Sequence, residues 1–195
     1  MLEKADNIRH LLTPIPVWAD APRYCPGISF PDYSYVSGQT PHPRKVPIPH
    51  LPIDVDTVSH SDPHRVYRYG IDLYHYGYLW ESHEAWESLW RIERVANASL
   101  ADFLQALIFN SAALLKLKTG SQEGAERHSR KAITRLQRAL RQDNSNHMRS
   151  FAHLDIAGLI ADVERCHAEI RDGNEMITAP RLVLDSSFAP HQTPR

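Results

Sequence analysis

Proline is distributed unevenly along this chain, and that distribution limits where helices can form. Eleven of the fourteen prolines lie within residues 13–63, and none lies between residues 64 and 179. Because proline lacks a backbone N–H and its ring clashes with the preceding turn, it is excluded from helix interiors. The sequence therefore predicts three regions, which are a Pro-rich arm (1–62), a helical domain (63–171) and an extended C-terminal tail (172–195).

The arm is too apolar to be a solvated linker. It carries Trp18 and Phe30 along with several tyrosines and isoleucines, whereas solvated linkers are poor in such residues. We expect an irregular arm that packs on the helical domain through its aromatic residues, and a partly disordered leader is the alternative. Residues 2–12 can form a short helix that Pro14 and Pro16 would end.

Apolar residues recur at helical spacing throughout the helical domain. Asp62 followed by Pro63 is typical of an N-cap and a first helical position, and Ser99 with Asp102 predicts a capping box. The helix after Ser99 is apolar on nearly all sides, so we expect it at the centre of an all-α bundle. The pattern predicts about five main helices in antiparallel hairpins, over residues 63–76, 78–94, 99–119, 122–141 and 155–171.

Composition favours a cytoplasmic protein with no membrane partner. The chain has 195 residues, of which 42% are hydrophobic and 23% charged, and its formal net charge is −1. These values are ordinary for a globular protein and give no general attraction to polyanions. We see neither a secretory signal nor a run of about 18 apolar residues that would span a membrane. Two distant cysteines, Cys25 and Cys166, suit a reducing compartment better than a disulfide framework.

The most unusual stretch is residues 78–91, YLWESHEAWESLWR, which holds three of the four tryptophans and several carboxylates. His83 and Glu87 are one helical turn apart, so they form a natural pair of ligands for a divalent metal. With Glu84 they resemble the His-Glu-x-x-His helix of zinc hydrolases, although a carboxylate replaces the second histidine. A solvated face with a hydrogen-bonded histidine is the alternative. The candidates for a third ligand are His42, His64 and His75.

We favour a non-catalytic site that binds a ligand or a protein partner, and a metal-dependent hydrolase at His83, Glu84 and Glu87 is the second hypothesis. Gln105 and Asn110 interrupt the apolar central helix, where they would orient a ligand or tie the arm to the helices. A groove between antiparallel helices also suits a peptide, and the arm itself can occupy such a groove. The predicted site comprises Glu81, His83, Glu84, Glu87, Gln105 and His42.

The helix over residues 122–141 has a basic side. A row of arginines and lysines there would fit a phosphate backbone, which makes a nucleic acid or an acidic partner a third hypothesis. Pairing with the acidic residues of the second helix is the alternative, and no base-reading motif supports nucleic acid. The residues concerned are Arg127, Arg130, Lys131, Arg138 and Arg141.

Several segments resemble the family called domain of unknown function 309. Residues 81–91 (ESHEAWESLWR) are similar to that family's E-A-H-E-x-W-E-x-L-W-R helix, and residues 103–114 (FLQALIFNSAAL) to its F-L-Q-G-L-I-Q-x-A-A-A-L helix. Residues 120–125 resemble its G-N-x-x-G-A turn. In the arm, residues 24–27 and 40–43 resemble the Y-x-P-G and T-P-H-P elements of longer members.

These segments occur in one order and extend over residues 24–140. The chain differs from the pattern at Ser82, Ala106 and Phe109, where the family has alanine, glycine and glutamine, and residues 27–38 resemble an insertion. The resemblance implies a compact all-helical fold, and it implies no activity or cofactor.

Overall fold

Seven α-helices and two short 3₁₀ turns make up the regular structure of the residues that the computed structural model describes, which are 17, 18, 20–45 and 50–188. No strand occurs among them, so the all-α class is confirmed. The possible helix over 2–12 lies outside the described residues. The helices are α1 Val55–Ser61, α2 Pro63–His75, α3 Leu79–Ala96, α4 Ala98–Lys118, α5 Gln122–Gln142, α6 His147–Ala152 and α7 Ile156–Arg171.

Five of these helices, α2 to α5 and α7, correspond to the five predicted from periodicity. The short helices α1 and α6 were not predicted. Asp54 caps α1 by accepting a hydrogen bond from the Thr57 amide. Asp143 holds the start of α6 by accepting from the amides of Met148 and Arg149. Each of these two helices starts after a single aspartate that accepts hydrogen bonds from its first turn. They are seven and six residues long, which is too short to give a periodic signal in the sequence.

The cap of α4 differs from the predicted capping box. Asn97 accepts a hydrogen bond from the Leu100 amide, so α4 begins at Ala98, and Ser99 is inside the helix. Asp102 does not close a capping box, because its carboxylate pairs with Arg135 and Arg138 of α5. By contrast, the predicted cap at Asp62 is confirmed, since its side chain accepts from the Arg65 amide ahead of Pro63.

Helix α4 lies at the centre of the bundle, between α3 and α5. It is the one helix within the described ranges that is long and apolar enough to cross a membrane, and 72% of its most apolar stretch is buried inside the protein. Small side chains allow α3 to approach it closely, since Ser82 and Ser111 are fully buried and their hydroxyls are 2.7 Å apart. These features are typical of a core helix.

The arm and the C-terminal tail are fastened to α2. Asp72, fully buried, accepts hydrogen bonds from the backbone amides of Tyr24 and Cys25, at 2.7 and 2.8 Å. On the tail side, the Tyr74 hydroxyl donates to the Pro180 carbonyl at 2.8 Å, and the Leu184 amide donates to the Tyr24 hydroxyl at 3.0 Å. The described parts of the arm therefore lie against the helices and the tail.

Candidate functional site

Glu81 connects the first turn of α3 to the arm. Its side chain is completely buried, and one carboxylate oxygen lies 2.7 Å from the Tyr35 amide and 2.6 Å from Nε2 of His50. Ser34 donates a hydrogen bond to the other oxygen. A buried carboxylate needs such partners, so the position of Glu81 is explained by its contacts with the arm.

Aromatic rings of the arm surround Trp80, next to Glu81. The ring centroids of Tyr35, His50 and His42 are 5.2, 6.0 and 6.3 Å from that of Trp80. Tyr33 also packs on His50, with 4.5 Å between the ring centroids. These five residues form an aromatic clamp that positions the arm along α3.

A cleft of about 540 Å³ opens beside the aromatic clamp, between the arm and α3. Its walls are mostly apolar, and its polar side chains are three carboxylates, one imidazole and one guanidinium. We call it the arm–helix cleft. The residues that line it are Pro43, His50, Leu51, Pro52, Ile53, Asp54, Val55, Asp56, Trp80, Glu84 and Arg91.

The charged groups of the arm–helix cleft are partly paired. Arg91 lies 3.2 Å from the Asp56 carboxylate and 3.3 Å from the Glu87 carboxylate. Asp54 is exposed, and hydrogen bonds from Thr57 lower its pKa. Arg91 thus joins the rim of the cleft to the acidic residues of α3.

His83, Glu84 and Glu87 come together on α3, as their spacing requires. One ligand atom from each lies within 4.8 Å of the other two. Nε2 of His83 is 3.5 Å from the Glu87 carboxylate, and both side chains are about 30% exposed, at 31% and 30%. Burial lowers the pKa of His83, while the Glu87 carboxylate opposes that shift. We call these three residues the His–Glu trio, and its Glu84 is in the wall of the arm–helix cleft.

Helix α5 carries a partly buried imidazole, that of His128. Burial lowers the pKa of His128, and the charges of Lys131, Arg127, Lys116 and His83 lower it further, in that order. Nδ1 of His128 is buried and has no hydrogen-bond partner among the described residues. The ring packs against Phe109, with 5.8 Å between the ring centroids.

The three histidines considered as a third metal ligand lie in different places. His42 belongs to the aromatic clamp. His75 is fully buried, and its Nε2 accepts a hydrogen bond from the Leu182 amide at 3.3 Å. His64 stacks on Phe151, with 4.5 Å between the ring centroids. His64 and His75 are therefore engaged in packing the tail and α6.

The two polar residues of the central helix differ in their contacts. Asn110 is buried and donates a hydrogen bond to the Tyr74 hydroxyl at 3.0 Å, so it supports the anchor of the tail. Gln105 is half-buried on α4, one turn before Phe109. Asn110 thus ties a terminal segment to the bundle, although that segment is the tail and not the arm.

Most of the predicted basic residues of α5 interact within the chain. Arg127 pairs with Glu123, and Arg130 with Glu126, both on the same helix. Lys131 lies over the Phe109 ring, 5.3 Å from its centroid. Arg138 pairs with Asp102 at 2.6 Å, and Arg141 is exposed. These contacts offset much of the positive charge that a phosphate backbone would meet.

Sequence reasoning missed His50, Asp56 and Arg91. His50 lies between prolines in the arm, 31 positions from Glu81, and no periodicity relates an irregular segment to a helix face. Arg91 had a local signal, because Glu87 and Arg91 are spaced for an ion pair on one helix. The position of Asp56 depends on α1, which was not predicted.

One of the comparisons with known proteins gives a match. Residues 67–128 match the family model described as Domain of unknown function (DUF309), and this range includes the His–Glu trio, Glu81 and Gln105. No curated protein and no solved structure matches the chain.

Proposed function

We propose that this chain, which carries a DUF309 domain over residues 67–128, binds a small organic cation in the arm–helix cleft without catalysing a reaction. The observation that carries the proposal is the cleft itself, which combines an apolar wall with an excess of acidic groups. Since the arm supplies one wall and α3 the other, the ligand would lie between the two.

The size and lining of the cleft fit a small molecule. Ligand pockets commonly have volumes of about 300–1,000 Å³, with apolar walls and a few polar groups that set orientation. The arm–helix cleft, at about 540 Å³, lies within that range. Leu51, Ile53 and Val55 line the cleft together with Trp80 and provide apolar surface, so we expect the ligand to have an apolar body.

The charges of the cleft favour a cation. Asp54, Asp56 and Glu84 contribute three carboxylates, whereas Arg91 contributes one positive charge, which Asp56 and Glu87 already offset. The indole of Trp80 in the wall adds an electron-rich surface that attracts cations. An amine or guanidinium attached to an apolar group matches both features.

Other features support binding without catalysis. The carboxylate of Glu81 is held by the arm, so it is poorly placed to act as a general base. Both cysteines are buried free thiols, and burial raises the pKa of Cys25 to about 11 and that of Cys166 to about 12. Thiols with such pKa values are poor nucleophiles near neutral pH.

The test is a thermal-shift screen with a library of organic cations, anions and neutral compounds, followed by calorimetric titration of the hits. We expect the stabilising compounds to be cations with an apolar group. Glu84→Gln and Asp56→Asn should each weaken their binding about tenfold or more, because an interaction with a charged group contributes about 1.5–3 kcal/mol.

Glu93→Gln is the matched control, since it removes a carboxylate from the same helix outside the cleft. Its affinity for the hits should equal that of the wild type. Hits that are mainly anionic, or that bind Glu84→Gln and Asp56→Asn as tightly as the wild type, would contradict the proposal.

A further inference from the structure

We infer that His83, Glu84 and Glu87 bind a divalent first-row transition metal at the edge of the arm–helix cleft. The site has one nitrogen ligand and two carboxylate ligands from a single face of α3. This inference does not rest on the proposed organic cation, because the His–Glu trio lies on α3 and needs no organic ligand.

The spacing of the ligand atoms fits a metal ion. Zinc–nitrogen and zinc–oxygen bonds are about 2.0–2.2 Å, so two ligands of a tetrahedral ion are about 3.3–3.5 Å apart. Nε2 of His83 and Oε2 of Glu87 are 3.5 Å apart. That distance matches the separation of two ligands around one ion, and the ligand atoms of all three residues lie within 4.8 Å of one another.

The neighbours of the trio hold the ligands in place. Arg91 contacts Oε1 of Glu87 at 3.3 Å, which leaves Oε2 directed toward His83. Asp56 fixes Arg91 from α1 at 3.2 Å. Such partners behind a ligand orient it and contribute to metal affinity.

The His83 imidazole is suited to coordinate a cation. Its Nε2 lies 3.5 Å from the Glu87 carboxylate, and imidazole nitrogens and carboxylate oxygens are both ligands that zinc binds in proteins.

The donor set indicates the class of metal. One imidazole and two carboxylates suit zinc and manganese better than soft metals, which prefer thiolates. Three protein ligands leave coordination positions open. Because Glu84 lines the arm–helix cleft, at least part of the metal's open side would face that cleft.

The test measures metal binding with no organic ligand present. Purified protein is stripped with a chelator, dialysed against Zn²⁺ or Mn²⁺, and analysed for bound metal, and Co²⁺ is added separately to record its visible absorption. We expect one equivalent per chain and a Co²⁺ spectrum that changes when His83 is replaced. His83→Gln and the double variant Glu84→Gln/Glu87→Gln should each weaken binding at least tenfold.

The control is His60→Gln, which removes an exposed histidine of α1 and should leave the stoichiometry at one. Circular dichroism and thermal unfolding establish that each variant is folded. If His83→Gln does not fold, the isosteric double variant Glu84→Gln/Glu87→Gln tests the inference in its place. Wild-type protein that binds no stoichiometric metal would overturn the inference. A folded double variant, or a folded His83→Gln variant, that binds the metal ion as tightly as the wild type would also overturn the inference. Because this assay contains no organic cation, its failure leaves the proposed function standing, and the reverse also holds.

Discussion

Among single residues, His75 shows how a titratable side chain can hold the tail against the helices through a hydrogen bond. The ring is fully buried, and its Nε2 accepts a hydrogen bond from the Leu182 amide of the tail. An accepting Nε2 requires the neutral ring with its proton on Nδ1, and Nδ1 has no partner in the described part of the chain. Protonation of Nε2 would remove the bond to the tail.

Acidification should therefore destabilise the protein through His75. Its pKa is lowered to about 4, mainly by burial and to a smaller extent by the charge of Arg181, while Asp20 opposes the shift. The unfolded chain takes up this proton near pH 6.5 and the folded chain near pH 4. The stabilisation that neutral His75 provides is therefore complete above pH 6.5 and is lost as the pH falls toward 4. The difference corresponds to about 3 kcal/mol in the free energy of unfolding between pH 7 and pH 4.

Urea unfolding of the wild type and of His75→Gln at both pH values measures this contribution. Glutamine can still accept a hydrogen bond from the Leu182 amide, and it does not titrate. On acidification, the free energy of unfolding of the variant should therefore fall by about 3 kcal/mol less than that of the wild type. His60→Gln, which removes an exposed histidine, should behave like the wild type. Equal losses in the wild type and His75→Gln would show that the proton is not linked to folding.

At the scale of helices, the crossing of α2 and α3 depends on one glycine. A methyl group at Gly70 would lie 2.3 Å from Nε1 of Trp86, whose indole is fully buried. The same Nε1 donates a hydrogen bond to the Tyr67 carbonyl at 3.3 Å. The two helices can therefore pack at this distance only because residue 70 has no side chain.

Gly70→Ala should destabilise the protein, although alanine is the better helix former. The added methyl group must displace Trp86, and overpacking of this kind costs about 1–3 kcal/mol. Chemical denaturation monitored by tryptophan fluorescence measures the effect. Gly27→Ala is the matched control, because a methyl group there meets no atom within 4 Å. A Gly70→Ala variant as stable as the wild type would show that the helices can separate at no cost.

The five long helices could be predicted because their periodicity is a local property of the sequence. The proximity of His83, Glu84 and Glu87 could be predicted for the same reason, since residues at these positions of one helix must lie near each other. The contacts between His50 and Glu81 and between Arg91 and Asp56 could not be predicted. They join segments more than 30 positions apart, and their geometry depends on the path of an arm without regular structure.

The predicted capping box failed for a related reason. Ser99 and Asp102 have the right spacing, but Asn97 was two positions earlier and could cap as well. The basic side of α5 then determined the role of Asp102, because Arg135 and Arg138 approach it across the helix pair. Local spacing alone does not decide between a cap and a tertiary ion pair.

At the scale of the whole molecule, α2 joins the arm, the tail and the bundle. Its tyrosines donate hydrogen bonds to separate segments, Tyr69 to the Ser29 carbonyl of the arm and Tyr74 to the Pro180 carbonyl of the tail. Asp72 holds the arm through two backbone amides and through Nε of Arg23 at 3.1 Å. The arm–helix cleft exists only while the arm is docked in this way.

Asp72→Asn should release the arm. The asparagine keeps one acceptor and loses the charge, so the amide of Tyr24 or Cys25 and the Arg23 guanidinium lose a buried partner. An unsatisfied buried group costs about 1–3 kcal/mol, and we expect a loss of about 2 kcal/mol in stability. Limited trypsin digestion tests the location of the effect, because cleavage after Arg23 should become faster in the variant as the arm detaches.

Asp162→Asn serves as the control, since that carboxylate pairs with Arg165 on α7, where both side chains are at least one-third exposed, at 33% and 48%. Cleavage after Arg23 should stay at the wild-type rate in this variant. If Asp72→Asn lowers stability but cleavage after Arg23 is unchanged, Asp72 stabilises the helices alone and the arm is held by other contacts. Faster cleavage together with weaker binding of the cationic hits would instead link the docking of the arm to the integrity of the cleft, since the arm supplies Leu51 and Ile53 to its wall.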